Sequence, residues 1–191
     1  MSTFTAAFFS ELLGEFKPSD KILIISQTGK LKVIIPELST HFDEDMIVLE
    51  KWKPKKPISA IYFDGEKERY FLKRFLVETE NKEESFITDH PNSQLEIVST
   101  DYRPVAQLVF TKVKGVQKED LHIDVEDFIA VKGFKALGNQ LTADKLKQVN
   151  LLDPLPFEEP VEEIPAKPEL SEEDSVGTEL DDDGQIGLVL E

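Results

Sequence analysis

The stretch Asp20-Lys-Ile-Leu-Ile-Ile-Ser-Gln-Thr-Gly-Lys-Leu-Lys-Val33 decides the fold class of this chain. Its first half, Ile22–Ile25, is an unbroken β-forming run, which is typical of a short strand buried on both faces. Thr28-Gly29 provides a turn, and residues 30–33 then alternate polar and apolar side chains, so the pattern predicts a β-hairpin. Lys30 and Lys32 fall on one face of the second strand. They can follow a phosphate backbone, or they can simply be solvated side chains.

Further β-rich runs follow and predict an all-β fold. Residues 58–63 and 69–77 are predicted to form a second hairpin around Asp64-Gly65, which is a good turn signal. Lys73 and Arg74 are neighbours in this hairpin, so they should point to opposite faces of the strand, and one of them is expected to pair with a carboxylate. The β-rich runs begin at Ile22, Ile58, Leu95 and Phe128, with gaps of 36, 37 and 33 residues. This weak repeat predicts four hairpin modules, which fit propeller-like blades better than a sandwich.

A loop rich in glycine and lysine follows the last of these runs. Residues 131–142 contain Lys132 and Lys135 together with Gly133 and Gly138. Glycines permit positive φ and close backbone approach, and lysines beside unpaired N–H groups can seat a phosphate. The same composition is also common in a plain loop between two strands with surface lysines, and the residues alone do not decide between these two interpretations.

The charge of the chain is unevenly distributed. The formal net charge of the 191 residues is −16, but residues 151–191 contain 14 acidic residues and one lysine, a net charge of −13. Residues 1–150 hold the remaining 24 acidic and 21 basic residues, a net charge of −3. From Asp153 onwards prolines recur among glutamates, a composition typical of disorder. The nearly neutral body is therefore compatible with an anionic partner, and the acidic tail either solubilises the protein or competes with that partner.

The sequence indicates neither a catalytic site nor a metal site. Cysteine is absent, which excludes disulfides and thiolate ligands and favours a cytoplasmic protein. The three histidines, His41, His90 and His122, lie far apart without metal-ligand spacing. The acidic run ending at Gly184 lacks the glutamate that a calcium loop requires at its twelfth position, where Leu190 stands. There is no nucleotide-binding glycine loop, no nucleophile elbow and no apolar run long enough to span a membrane.

Three stretches carry a resemblance to a known family. They are Leu13-Gly-Glu-Phe16 leading into Asp20–Gly29, Tyr70-Phe-Leu-Lys-Arg-Phe75, and Lys132-Gly-Phe-Lys-Ala-Leu-Gly-Asn139 with Leu141-Thr142 after it. The last resembles a degenerate form of the glycine-and-basic box in the C-terminal domain of type IIA topoisomerase A subunits, which occur in DNA gyrase and topoisomerase IV. The second resembles a segment of the Bacteroidetes-type branch. The matches together span roughly residues 13–152.

The resemblance implies a partial β-pinwheel, built from propeller-like hairpin blades, that binds duplex DNA. A lead-in arm (1–18), the pinwheel-like domain (19–152) and a disordered acidic tail (153–191) are the expected parts. Because Met1 precedes what resembles the interior of a longer protein, an expressed fragment or an internal start is expected, and a natural short protein is the alternative. The expected DNA contacts are Lys30, Lys32, Lys73, Arg74, Lys132 and Lys135, with Gly133 and Gly138 as the box glycines.

The resemblance also implies which activities and partners to expect. The catalytic tyrosine region of the A subunit and the metal-binding carboxylates of its partner subunit are not in this sequence, so no catalysis is assigned to the chain. No cofactor is expected in it either, since ATP and Mg²⁺ belong to the whole enzyme. Its expected partners are duplex DNA, the remaining part of the A subunit and the ATPase B subunit, without a membrane. The alternative is a protein-interaction module that packs against a larger subunit, with the acidic tail binding a partner.

Overall fold

The computed structural model describes residues 19–35, 42–78, 80–113 and 115–157, which fold almost entirely into β-strands. Every described residue belongs to one compact unit, which ends at residue 157. The strands are β1 (Ile22–Ser26), β2 (Lys30–Ile34), β3 (Met46–Lys51), β4 (Ile58–Asp64), β5 (Arg69–Phe75), β6 (Glu84–Ser85), β7 (Gln94–Ser99), β8 (Val105–Phe110), β9 (Leu121–Asp124), β10 (Asn139–Thr142) and β11 (Leu146–Leu152), with one short helix, α1 (Val125–Phe128). The all-β prediction is confirmed. The predicted lead-in arm (1–18) and most of the predicted acidic tail lie outside the described residues, and the limits 1–18, 19–152 and 153–191 stay a prediction.

The strands form three antiparallel sheets. The N-terminal sheet has the order β3-β1-β2-β6, the middle sheet β10-β5-β4-β7, and the C-terminal sheet β11-β8-β9. Among the described residues these sheets do not close into a barrel, since each ends in its own edge strands. Their arrangement as pinwheel blades stays a prediction.

The first predicted hairpin is confirmed as β1 and β2. Residues 27–29 form its turn, and the amide of Gly29 donates to the carbonyl of Ser26 at 3.1 Å. Gly29 has φ +76°, and a Cβ there would lie 2.6 Å from the side chain of Ile87. The position therefore requires glycine both for its backbone angle and for close packing.

The second predicted hairpin is confirmed as β4 and β5. Asp64 begins its turn: one carboxylate oxygen accepts the amide protons of Glu66 and Lys67, both at 2.9 Å. The other oxygen accepts the hydroxyl proton of Thr88 at 2.6 Å. Asp64 is fully buried, and these three hydrogen bonds satisfy a charge that would otherwise be costly to bury.

Two hydrophobic cores lie on opposite faces of the middle sheet. One contains Leu23 and Val33 of the N-terminal sheet with Tyr62 and Phe75 of the middle sheet. The other contains Ile61, Tyr70 and Leu72 of the middle sheet with Leu108 and Phe110 of the C-terminal sheet. The middle sheet is thus covered on both faces, so any polar side chain that it carries must find its partners inside the protein.

The prediction of four hairpin modules is wrong for the described residues, which form three sheets. Phe128, the predicted start of the fourth module, is the last residue of α1. The strands after it return to earlier sheets: β10 pairs with β5, and β11 pairs with β8. The side chain of Asp124 accepts the amide proton of Glu126 and so caps α1, which interrupts the β run that the apolar residues 128–131 had indicated.

Candidate nucleic-acid interface

The loop between α1 and β10 holds the glycine box, residues 132–139, and packs against β5. Gly138 has φ +95°, and a Cβ there would lie 2.3 Å from the carbonyl oxygen of Leu72. Only glycine fits so close to a neighbouring strand. Gly133 differs, because the nearest atom to an added Cβ would be Glu78 Oε1, at 3.8 Å. Of the two box glycines, only Gly138 is required for the packing of the box loop against β5.

Lys73 supports the box from inside the protein. Its side chain is 4% exposed, and its Nζ donates to the carbonyls of Phe86 at 2.8 Å and Phe134 at 2.7 Å. The ammonium also lies 4.9 Å from the ring centre of Phe75 and 5.5 Å from that of Phe134. Burial lowers the pKa of Lys73 to about 8. The residue thus joins the box loop to the segment around Phe86, and it lines the same cavity as Lys135.

Arg74 points to the other face of the same strand, as the alternation of a strand predicts. It donates to the carbonyl of Tyr102 at 2.7 Å and lies 3.8 Å from a carboxylate oxygen of Glu126, while only 5% of the residue is exposed. Glu126 supplies the carboxylate that the sequence predicted for one member of this pair. Because Lys73 and Arg74 are both buried, the candidate surface consists of the other four predicted cations. Contact of Lys73 or Arg74 with DNA stays a prediction.

Three of the backbone N–H groups of the box loop have partners within the protein. The amide of Phe134 donates to Glu78 Oε1 at 3.0 Å, that of Lys132 to the carbonyl of Arg74 at 2.8 Å, and that of Ala136 to the carbonyl of Gly133 at 2.9 Å. A carboxylate thus occupies the place where a phosphate was expected. Phosphate contacts at this loop would therefore come from its lysine side chains.

The lysines of the box loop are exposed, in contrast to Lys73. The ammonium of Lys132 donates to Asn139 Oδ1 at 2.7 Å, which directs it along the loop. Lys135 borders a cavity of about 470 Å³ whose floor is formed by Tyr62, Phe86 and Phe134. The Tyr62 hydroxyl donates to the carbonyl of Leu137 at 2.8 Å, and burial raises the pKa of Tyr62 to about 12.

Four lysines from three segments meet around Glu83; we call them the lysine cluster. Lys30 and Lys32 border a small depression together with Glu83. Glu83 also borders the larger cavity, where Lys82 and Lys135 lie. Lys30 and Lys32 therefore border one cavity and Lys135 borders the other, and Glu83 borders both.

Four acidic side chains lie among the four lysines of the cluster and balance their formal charge: Glu83, Glu84, Asp43 and Asp45. Lys30 Nζ lies 3.0 Å from Glu83 Oε1, and this hydrogen bond and the attraction of the carboxylate raise the pKa of Lys30. Lys82 pairs with Glu84 at 2.9 Å. Ion pairs between exposed side chains contribute little to stability and are weakened by salt. A phosphate can replace the glutamates as a partner of these lysines at small cost to the fold.

The described residues contain no group of three or more histidine, cysteine or acidic side chains that could hold a metal ion. A search of the same residues for helices long and apolar enough to cross a membrane finds none.

A comparison with protein-family models identifies the chain. The model of the topoisomerase C-terminal domain of Bacteroidota matches residues 9–153, which is most of the 191 residues and covers all three sheets. The chain belongs to this family. No curated protein matches it.

Three charged residues of the candidate interface in this topoisomerase domain were not predicted from the sequence: Lys82, Glu83 and Glu78. All three lie in or beside the polar run that follows β5. A short run of mixed charge has no periodicity, and its pairing with β2 through Glu84 and Ser85 is a long-range contact. The burial of Lys73 did have a local signal, because Tyr70–Phe75 is apolar on both faces around the two cations.

Proposed function

We propose that this topoisomerase C-terminal domain binds duplex DNA through phosphates, without sequence preference, and bends it for presentation to the strand-passing part of the enzyme. Such binding draws its free energy mainly from the release of counterions by lysine and arginine. Bending brings more phosphates to the protein surface, at an elastic cost that depends on the duplex. The domain supports DNA topology changes in this way without carrying out a chemical step itself.

The observation that carries the proposal is the meeting of the lysine cluster around Glu83. Lys30 and Lys32 come from β2, Lys82 from the segment before β6 and Lys135 from the box loop. Residues far apart in the sequence thus supply cations to one region of the surface. Several cations within reach of one another are what contact with successive phosphates requires.

The proposed setting is the bacterial cytoplasm, within a type IIA topoisomerase. The partners of the domain there are duplex DNA, the remaining part of the A subunit and the ATPase B subunit. ATP and Mg²⁺ act in those other parts of the enzyme. The family match supports a topoisomerase role for the chain, and the partners named here are part of the proposal.

A salt titration of binding to a duplex of about 40 base pairs tests the proposal, with the full chain as the protein. Binding of the unsubstituted chain should weaken linearly on a log–log scale, because each neutralised phosphate releases about one counterion. The variant K32Q/K135Q removes two cluster cations and should reduce the magnitude of the slope by about 2. The matched control K67Q/K147Q removes two exposed lysines outside the cluster and should leave the slope nearly unchanged.

Two results would count against the proposal. If the unsubstituted chain does not bind the duplex even at low salt, the proposed DNA contact is wrong. If the cluster variant and the control variant reduce the salt slope by the same amount, binding depends on overall charge and the cluster has no special role.

The second candidate function is a protein-interaction module that packs against the rest of the A subunit. Exposed apolar side chains at both edges of the C-terminal sheet favour it, with Leu121 on β9 and Leu151 and Leu152 on β11. Leu121 and Leu151 share one face of the sheet and Leu152 points to the other, and a packing partner would cover such exposed apolar edges. Titration of the purified remainder of the subunit with the unsubstituted chain and with L151S/L152S tests it, and equal affinities would contradict it.

The acidic tail has two proposed roles, and the same assays separate them. A tail that competes with DNA should make the full chain bind the duplex more weakly than a chain ending at residue 157. A tail that binds a protein partner should leave DNA affinity unchanged and should lose that partner on truncation. The net charge of −13 over residues 151–191 supports both roles to the same degree.

A further inference from the structure

The hairpin that connects β8 and β9 ends in a tight turn that projects from the C-terminal sheet. Val113 and Val116 exchange both backbone hydrogen bonds across it, at 3.1 and 2.9 Å. Gly115 has φ +80°, and a Cβ added to it would meet no atom within 4 Å. The glycine thus serves the turn itself and not close packing, and the tip stands clear of its surroundings.

The tip carries two apolar side chains in water. Val113 is 61% exposed and Val116 is 71% exposed, the highest values among the large apolar residues that the structure describes as exposed. Single exposed apolar residues are common on protein surfaces. Here two lie side by side on paired strands, where each adds to the apolar area of the other. Such a pair gains free energy when another molecule covers it.

The base of the hairpin is held in place by side chains. Gln117 Nε2 donates to the carbonyl of Phe110 at 3.1 Å. The ammonium of Lys118 lies 4.4 Å from the ring centre of Phe110 and 2.6 Å from an oxygen of Asp144. The amide of Thr111 donates to the carbonyl of Lys145 at 2.9 Å. These contacts fix the direction in which the tip points and so reduce the entropy that binding would cost.

The charge around the tip indicates the kind of partner. The tip itself, residues 112–116, contains Lys112 and Lys114 and no acidic residue. Further from the tip the charge is balanced, since Lys118 pairs with Asp144 and is followed by Glu119 and Asp120. A partner that complements the tip is anionic and also offers an apolar surface to the valines. Duplex DNA has both properties, since its phosphates line the grooves and its stacked bases accept apolar wedges at a base step, which bends the duplex.

We propose that Val113 and Val116 form an apolar wedge that enters the minor groove of DNA at one base step, while Lys112 contacts a phosphate beside it. This inference rests on the proposed DNA-binding function and adds a means of bending. Phosphate contacts by the lysine cluster hold the duplex, and the wedge opens one step of it. The wedge makes flexible pyrimidine–purine steps the preferred sites, because they unstack at least cost.

The variant V113T/V116T in the full chain tests the wedge. Threonine has nearly the shape of valine, so the hairpin should be retained, but each hydroxyl would enter the base step without a hydrogen-bond partner. The matched control I35T/I47T changes two other exposed apolar residues, 50% and 47% exposed. Binding, bending by energy transfer between duplex ends, and unstacking by 2-aminopurine fluorescence are measured on a duplex with a central TA step.

The wedge predicts about tenfold weaker binding by V113T/V116T, since each hydroxyl must lose its water to enter the apolar space between the bases. Bending and the fluorescence increase should both be lost, while the salt slope should stay the same. The control I35T/I47T should match the unsubstituted chain in all of these measurements.

Other outcomes overturn the inference in distinguishable ways. If the unsubstituted chain binds and bends DNA and the valine variant does the same, the wedge is wrong and the proposed function stands. If the unsubstituted chain does not bind DNA, the proposed function fails and the wedge fails with it. If the DNA signals are unchanged but association with the rest of the A subunit is lost, the tip is a protein contact.

Discussion

The same residue type has opposite roles in two regions of this domain. Lys73 lies in the middle sheet, 4% exposed, and donates to two backbone carbonyls of the protein. Lys135 lies on the box loop about 60 residues later; it is exposed and lines the same cavity as Lys73. One lysine positions the loop, and the other is available to a ligand. A cation in a basic stretch of sequence is therefore not identified as a ligand contact by its charge alone when its strand is buried on both faces.

The box glycines differ in the same way, and substituting them gives the largest expected effect. Gly138→Ala should lower the free energy of unfolding by about 3 kcal/mol, because the new Cβ would meet the Leu72 carbonyl and the residue has positive φ. Urea unfolding of the full chain, followed by far-UV circular dichroism, measures it.

Gly133→Ala is the matched control for that prediction. It places the same methyl group in the same loop, with Glu78 Oε1 at 3.8 Å as the nearest atom, and should change stability by less than about 0.5 kcal/mol. Equal losses from the two substitutions would mean that the box loop does not pack against β5 in the way described.

Replacing the buried lysine should have the next largest effect. Lys73→Met keeps an unbranched side chain only one heavy atom shorter, but it leaves the carbonyls of Phe86 and Phe134 without their donor. A buried acceptor without a partner costs about 1–3 kcal/mol. Since methionine also avoids the desolvation of an ammonium, we expect a net loss of about 2 kcal/mol.

Lys132→Met is the control for Lys73→Met, because Lys132 is exposed and bonds only to Asn139 among the contacts described. It should change the free energy of unfolding by less than about 0.5 kcal/mol. If Lys73→Met proves as stable as the unsubstituted chain, the two hydrogen bonds merely offset the cost of burying the charge.

The lowered pKa of Lys73 predicts a dependence of stability on pH. Below pH 8 the lysine is protonated in both states, so it gives no dependence there. Between about pH 8 and its unfolded pKa of 10.5 the folded state has lost the proton and the unfolded state has kept it, so stability rises with pH. The stability of the unsubstituted chain relative to Lys73→Met should therefore increase across this window.

The comparison with Lys73→Met isolates this effect from that of the tyrosines. Burial raises the pKa of Tyr62 to about 12, so the unfolded state loses that proton first and stability falls as the pH rises above 10. Both proteins contain Tyr62, and its contribution cancels in the difference. A difference that stays flat up to pH 10 would mean that the two carbonyl acceptors keep the proton on Lys73.

The hairpins of this domain were predictable because their signals are local. Thr28-Gly29 and Asp64-Gly65 follow apolar runs, and each marks a turn without help from distant residues. The returns of β10 to β5 and of β11 to β8 depend on long-range pairing, which no local pattern records. The strand β9 was missed because Leu121-His-Ile-Asp124 is short and alternates weakly.

The candidate site was predictable only in part, for a related reason. Lys30, Lys32, Lys132 and Lys135 could be chosen by charge and by family resemblance, and the structure describes them as exposed or partly exposed. Their neighbours Lys82 and Glu83 reach the site through the pairing of β6 with β2. A carboxylate that lies near a lysine in the fold can be far from it in the sequence, so local sequence does not reveal the pair. Such carboxylates nevertheless affect how readily the lysines bind a phosphate.

The smallest expected effect is that of a substitution at Glu83, the carboxylate that borders both cavities of the lysine cluster. Glu83→Gln removes the ion-pair partner of Lys30 and should strengthen binding to duplex DNA about threefold at low salt, since one unfavourable charge leaves the surface. Stability should change by less than about 0.5 kcal/mol, because the pair is exposed. The control Glu66→Gln removes one exposed negative charge from the β4–β5 turn and should strengthen binding less. If the two variants gain equally, the carboxylate acts through the net charge of the chain; a larger gain for Glu83→Gln places the phosphates at the lysine cluster.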